Sequence, residues 1–278
     1  MRFALIGLKG MAGNMARRLR QQDFEVIGCD EDAELSKALA AECGVAATTS
    51  VVAALRKLPG DSPKIVWLML SDNATVDKEI KNLANRLSLG DIVVDGSYSN
   101  YRDSQRRGAL LSQSGVGFVD AGISDGGSAL ENGFCITVGG EREHVKAVEP
   151  LLESLASATG TGWAHVGVVG AGHFARMVQS GIEWSIRQAL SEGFALLQGK
   201  SSYSYDLAAV AQTWSQGALG GDLLSEESAR FNADTSSAEE KLPSHDEVRW
   251  SAIEAIDQNV SLPVISAALQ SGNRKRGS

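Results

Sequence analysis

Cysteine is scarce in this sequence. The 278 residues contain three, Cys29, Cys43 and Cys135. They lie far apart with no CxxC spacing, which argues against a disulfide framework and a thiolate metal site, so no metal is expected. Basic residues are outnumbered: 26 Lys and Arg face 34 Asp and Glu, a net charge of -8. That balance argues against a nucleic-acid surface as the main business of the chain. No run of 18 apolar residues occurs, and the N-terminus lacks the charged, then apolar, then small-residue order of a signal peptide. A soluble, cytoplasmic protein without a membrane partner is therefore expected. What remains is 43% hydrophobic and 22% charged, ordinary for a globular chain and long enough for two domains. With only five prolines, its one enriched residue is glycine, at 30.

Short Val- and Ile-rich runs at residues 3–6, 24–29, 65–70, 92–95, 117–119 and 134–138 read as strands. Between them, residues 11–20, 33–41, 51–58, 74–87, 101–114 and 142–155 have helical periodicity. Strands separated by 10–15-residue helices predict βαβ crossovers and a mostly parallel, doubly wound α/β sheet. The pattern changes after Gly162. Residues 171–199 carry apolar side chains at helical spacing without proline, and the rest also reads as helix, broken by a polar stretch at 225–247 that is expected to contain loops. The expected division is a dinucleotide-binding Rossmann domain over 1–165 and an all-α domain over 166–278.

The first strand runs into Gly7-Leu8-Lys9-Gly10-Met11-Ala12-Gly13-Asn14 and then a helix. A glycine turn at this place lets backbone amides approach a pyrophosphate at a helix N-terminus. The second strand ends at Asp30, where a carboxylate can accept hydrogen bonds from ribose hydroxyls and repel a 2′-phosphate. NAD is thus the expected cofactor, favoured over NADP, with contacts from Gly7, Leu8, Lys9, Gly10, Met11, Gly13, Asn14 and Asp30, and from Leu70 and Ser71 after the third strand. The spacing is GxxGxxG rather than GxGxxG, with Lys9 where the second glycine would stand.

Five segments carry a family resemblance: GLKGMAGNMARRL at 7–19, VDGSYSNYRDSQRR at 94–107, VDAGISDGGSALENGFCITVGGE at 119–141, HVGVVGAGHFARMVQSGIEW at 165–184 and RWSAIEAIDQNVSLPVISAAL at 249–269. Over nearly its whole length the chain resembles the short, NAD-type, decarboxylating 6-phosphogluconate dehydrogenases of the β-hydroxyacid dehydrogenase superfamily. The resemblance implies a Rossmann domain followed by a helical domain, a homodimer formed through the helical domain, and oxidation of a hydroxyl β to a carboxylate with loss of carbon dioxide.

The frame matches, but the chemistry positions diverge. Family members read HFVKMVHNGIEY where this chain reads HFARMVQSGIEW. The lysine that serves the family as general base is Arg176, which stays protonated and can anchor an anion but is a poor base. The family's histidine, asparagine and tyrosine are Gln179, Ser180 and Trp184, while Glu183, its acid for the enol step, is retained. Arg176, Ser180, Glu183 and Trp184 stand at i, i+4, i+7 and i+8 and are predicted to share one helix face as a site. The GNSN loop becomes Ser97-Tyr98-Ser99-Asn100, and the TSGG loop becomes Ile123-Ser124-Asp125-Gly126. After Trp214 the arginine expected to bind phosphate is missing. The SGEGRW turn begins here at His245, a new acid–base group or simply an exposed one.

The catalytic candidates are Glu183, Arg176, Ser180, Ser124, Asp125 and Tyr98; the substrate-binding candidates are Gln179, Trp184, Gly126, Asn100 and His245. Losing a phosphate-binding cation while gaining Asp125 disfavours a phosphate dianion. The preferred reading is an NAD-binding enzyme acting on a polyhydroxylated, non-phosphorylated small molecule such as a sugar, sugar acid or nucleoside-like compound. It would work by hydroxyl oxidation or by a redox-neutral, dehydratase-like sequence of transient oxidation and elimination. Ordinary decarboxylation of 6-phosphogluconate and a non-catalytic, ligand-sensing relative are the alternatives.

Overall fold

The computed structural model describes residues 1–125, 129–157, 161–218, 221–232 and 245–276, the side chains of 245 and 272–276 excepted. It divides into two compact units, Met1–Arg176 and Met177–Ser278.

The first unit alternates strand and helix: β1 (Arg2–Ile6), α1 (Met11–Gln21), β2 (Glu25–Cys29), α2 (Ala33–Cys43), α3 (Val51–Lys57), β3 (Ile65–Leu68), α4 (Asn73–Ala84), β4 (Ile92–Asp95), α5 (Tyr101–Ser112), β5 (Gly117–Ser124), α6 (Ala129–Asn132), β6 (Cys135–Gly140), α7 (Arg142–Leu155) and β7 (Trp163–Gly167). The strands form one sheet in the order β2-β1-β3-β4-β5-β6-β7. All neighbours are parallel except β5 and β6, which pair antiparallel. Period-2 alternation sends successive side chains to opposite faces. Phe3 and Leu5 join Met15, Leu19 and the α7 residues Val148 and Leu152 on one face, while Ala4 and Ile6 join Val66, Ile80 and Leu111 on the other. Each large side chain so buried contributes roughly 1.5–3 kcal/mol, and helices on both faces give the doubly wound architecture.

Two strands depart from the sequence expectation. β5 continues to Ser124 because its interruption, Asp120, is a buried carboxylate with backbone partners. β7 has no apolar run to announce it. As an edge strand with one neighbour it is mostly exposed, so its pattern carries little hydrophobic signal.

A long helix, α8 (Ala171–Gly199), starts in the first unit and continues into the second. The second unit also holds α9 (Leu207–Trp214), α10 (Asp222–Asn232), α11 (His245–Asp257) and α12 (Pro263–Arg276). Trp184, Val248, Ile265 and Ala268 form one small core, and Phe194, Ala211 and Leu224 another. α10 occupies part of the polar stretch expected as loops. It buries Leu224, Glu227 and Ser228 on one face, a helical period concealed by polar composition; residues 233–244 lie outside the described residues.

Candidate functional site

The strand order reverses between β1 and β3, and in doubly wound sheets the crevice outside the carboxyl ends at such a point takes the ligand. Three segments border it. The turn after β1 approaches the segment after β3 so closely that a Cβ on Gly7 would lie 2.1 Å from the Met69 carbonyl oxygen. The Leu70 amide, after β3, donates to Ser97 Oγ at 3.0 Å in the loop after β4. The first turn then enters α1 through Gly10, at φ 56° and ψ -120°, with no side-chain cap and no acidic residue in the first helical turn. By contrast, α2, α4 and α5 are capped by the side chains of Asp32, Asp72 and Asn100. An uncapped helix start behind a glycine turn presents amide dipoles to an anion. Lys9 is exposed beside it, and a Cβ on Gly10 would meet nothing within 4 Å.

Asp30 sits at the end of β2 with each carboxylate oxygen on a backbone amide: Oδ2 accepts from Leu8 at 2.8 Å and Oδ1 from Asp32 at 2.9 Å. It therefore holds the glycine turn, and each oxygen keeps a further lone pair for a sugar hydroxyl. Leu8 has its side chain buried in the core and its amide committed to Asp30. Gly13 packs beneath the Leu8 carbonyl, where a Cβ would come to 3.0 Å. Asn14 Oδ1 accepts from Arg17, Met11 lies partly buried against the core, and Ser71 is exposed.

In the loop after β4, Tyr98 is 48% exposed. Asn100 is engaged as the α5 cap, accepting the Arg102 amide at 2.9 Å. Ser124 and Asp125, at the end of β5, are half-buried, and Gly126 lies outside the described residues. The start of α8 is fastened to the same strand: Asp120 accepts the Gly170 amide at 2.6 Å and the His173 amide at 2.8 Å. His173 Nδ1 stands 2.7 Å from Ser104 Oγ on α5. Arg176, only 7% exposed, has its Cβ against Gly122, where an added Cβ would approach to 2.4 Å. The first unit thus brings the Arg176 backbone beside β5, two residues before Ser124.

Beyond Arg176 the shared polar face is corrected in part. Ser180 is buried and donates to Glu247 Oε2 at 2.8 Å, and Ser251 Oγ bonds the Met177 carbonyl at 2.9 Å, joining α11 to α8. Trp184 lies in the core of the second unit, its Nε1 donating to the Ala268 carbonyl at 3.3 Å. A face read as polar and site-forming therefore packs α8 against its own neighbours. Glu183 remains half-buried and pairs with Arg187, which also reaches Glu226 on α10. Burial pushes the Arg187 pKa down, but the two carboxylates outweigh it and hold the pKa above its ordinary value. Gln179 is half-buried; His245 opens α11, its side chain outside the described residues. Residue-type reasoning missed Asp95, Ser99, Arg107, Asp120 and Glu247. The first four sit within quoted motif segments, but each is defined by the partners that folding gives it. Among the described residues, no cluster of His, Cys, Asp or Glu is placed to hold a metal. No described helix is long and apolar enough to cross a membrane.

Comparison with known proteins agrees with this frame. The family model for the NAD binding domain of 6-phosphogluconate dehydrogenase matches residues 2–171, and that for the 6-phosphogluconate dehydrogenase C-terminal domain matches residues 172–273. The NAD(+)-dependent, decarboxylating 6-phosphogluconate dehydrogenase of Haloferax volcanii is 32% identical over 273 residues, spanning 97% of this chain and 89% of its own length. The NADP(+)-dependent, decarboxylating enzyme of Bacillus subtilis is 28% identical, spanning 96% of this chain and 60% of its own. Among solved structures, 6-phosphogluconate dehydrogenase from Plasmodium falciparum matches with a TM-score of 0.87 at 22% identity, covering 98% of this chain and 62% of that one. A 3-hydroxyisobutyrate dehydrogenase from Mycobacterium tuberculosis matches at 0.77 and 19%, covering 97% and 91%. At such identities the structural matches speak for the fold alone.

Proposed function

Because the chain belongs to the 6-phosphogluconate dehydrogenase family, we propose that it is an NAD-using dehydrogenase whose substrate is a polyhydroxylated small molecule without a phosphate. The observation that carries this reading is Arg176, a buried, permanently charged side chain where the resemblance calls for a lysine base. A guanidinium there holds an oxygen in place but does not take up the hydroxyl proton. That proton passes instead to a carboxylate, and Asp125, two residues past Ile123 on the loop after β5, is the group we assign. Ser124 and Arg176 position the substrate hydroxyls, and Tyr98 borders them from the loop after β4. Ser180 and Trp184 support α8 from within the helical unit.

The residues of the glycine turn suit a dinucleotide. Gly7 and Gly10 hold backbone conformations with φ of +88° and +56°, the α1 N-terminus is uncapped, and Asp30 stands where ribose hydroxyls would be accepted. The acids Asp30, Glu31, Asp32 and Glu34 crowd one short segment, which favours NAD over a 2′-phosphorylated cofactor. When bound, NAD would supply the hydride acceptor. A stripe of exposed apolar residues on α8, Val178, Ile182 and Ile186 at i, i+4 and i+8, suits pairing with a second copy of the chain. Sedimentation of Ile182→Lys as a monomer beside a dimeric parent is the expected result.

The test is to supply NAD with a panel of sugar acids and polyols, with and without phosphate, and to follow reduced cofactor and carbon dioxide. Turnover of a non-phosphorylated member, abolished in Asp125→Asn, supports the reading. Ordinary decarboxylation of 6-phosphogluconate is the second reading, favoured by the full-length similarity to the Haloferax enzyme. Turnover of 6-phosphogluconate on the order of 1–10³ s⁻¹ with stoichiometric carbon dioxide would establish it and defeat the first.

A further inference from the structure

Arg107, in the middle of α5, is a fully buried guanidinium with all three nitrogens engaged. Its Nε donates to Asp77 at 2.7 Å, and its Nη1 to Asp95 at 3.0 Å and to Ser99 Oγ at 2.6 Å. Its Nη2 donates to the carbonyl of Asn73 at 3.2 Å and to the Asn73 side-chain oxygen at 3.0 Å. Asp95, which closes β4, is equally buried. It reaches forward into the next loop, accepting the Ser97 amide at 3.1 Å and the Ser99 hydroxyl at 3.0 Å. Ser97 Oγ accepts the Leu70 amide. A closed circuit therefore runs from the segment after β3, through Ser97, Asp95, Ser99 and Arg107, back to Asn73 at the start of α4.

A buried ion pair adds little net stability over an apolar pair of the same size, because both charges must be desolvated. What it supplies here is fixed geometry for two loops. Those loops, residues 70–73 and 97–100, adjoin the glycine turn: Gly7 abuts Met69, and Leu70 is bonded to Ser97. The charges thus lie at the carboxyl end of β4, bonded to the segments that border the crevice.

We infer that Asp95 and Arg107 are positioning residues of the nucleotide site, with Ser99 the contact through which they hold the loop that carries Tyr98. The inference rests on the nucleotide reading above. It is tested by titrating the full-length protein with NADH, following fluorescence, alongside thermal unfolding of each variant. Ser99→Ala removes the loop's side-chain link to the pair without stranding a buried charge; Asp95→Asn, which also touches the Ser97 amide, is the stronger perturbation, and Ser99→Thr restores the hydroxyl. Arg106→Gln is the control, because Arg106 pairs with Asp77 and Asp103 on the surface and bonds no residue of the loop.

Expected are an NADH Kd raised about tenfold in Ser99→Ala and Asp95→Asn, as for a lost hydrogen bond to a charged group, recovery in Ser99→Thr, and an unchanged Kd in Arg106→Gln. A parent that binds NADH while Ser99→Ala and Asp95→Asn bind it equally well overturns the positioning role and leaves the nucleotide reading standing. Equal weakening in Arg106→Gln also overturns it, since the effect would then be general destabilisation. A parent that binds neither NADH nor NADPH defeats the nucleotide reading and this inference with it.

Discussion

Replacing Gly7 with alanine tests how the first turn is built. At φ +88° the backbone lies where an L-residue is strained by about 1–2 kcal/mol. The new methyl would also sit 2.1 Å from the Met69 carbonyl oxygen. Contacts below 3.0 Å are essentially never seen for a Cβ, so the turn or that carbonyl must move by 0.9 Å, the difference between the two. Met69 cannot yield freely, because its amide is bonded to the Ile6 carbonyl at 2.8 Å in continuation of the β1–β3 ladder. Strain and overpacking together amount to roughly 3–5 kcal/mol, a large share of an ordinary domain's 5–15 kcal/mol or so. Gly10→Ala is the internal comparison: it bears backbone strain of about 1–3 kcal/mol and meets no neighbour within 4 Å. Urea unfolding followed by tryptophan fluorescence, paired with NADH titration, should place Gly7→Ala well below Gly10→Ala in stability and without measurable NADH binding. Equal stability of the two variants would refute the close-approach argument.

Three further outcomes are expected. Asp30→Asn keeps an acceptor for one amide but loses the charge, so the ratio of NADPH to NADH dissociation constants should fall on the order of tenfold; an unchanged ratio would remove Asp30 from cofactor choice. Burial pushes the Asp77 carboxyl up, but hydrogen bonds and charge from Arg107 and Arg106 outweigh it and hold the group below the usual carboxylate value. Its stabilising contribution is therefore complete above the unfolded carboxylate pKa and lost as pH falls through the lower folded value. Urea midpoints measured at neutral and acid pH should differ less in Asp77→Asn than in the parent. Burial raises the Cys29 and Cys43 thiols above their usual pKa, whereas Cys135 is exposed. A disulfide reagent should thus give one fast thiol that disappears in Cys135→Ser, and two fast thiols in the parent would contradict the burial of the others.

The legible parts of the molecule are those written in local pattern. Alternating Val- and Ile-rich runs and helical segments announced the doubly wound sheet because the strands from β1 to β5 bury both faces. Gly7, Gly10 and Asp30 were recognisable because a tight turn and a strand-end carboxylate are short-range requirements. β7 escaped notice because an exposed edge strand carries almost no apolar signal, and α10 because its buried face includes Glu227 and Ser228.

The chemistry of the site divides along the same line. Spacing by itself determined that Arg176, Ser180, Glu183 and Trp184 share a helix, and that an arginine stands where the resemblance expects a base. Which way that helix turns each side chain depends on partners tens of residues away. Ser180 meets Glu247 and Trp184 meets Ala268 only because α11 and α12 pack on α8. The same holds for the buried charges at the end of β4. Asp95, Ser99 and Arg107 are ordinary polar residues in the chain and become a closed circuit only when β4, α4 and α5 are side by side. Periodicity and turn chemistry are properties of neighbouring residues, whereas desolvated charge pairing is a property of residues that folding brings together. The sequence alone therefore determined the frame and the identity of the altered residues, and only the tertiary structure decided which of them are buried supports and which stay partly exposed.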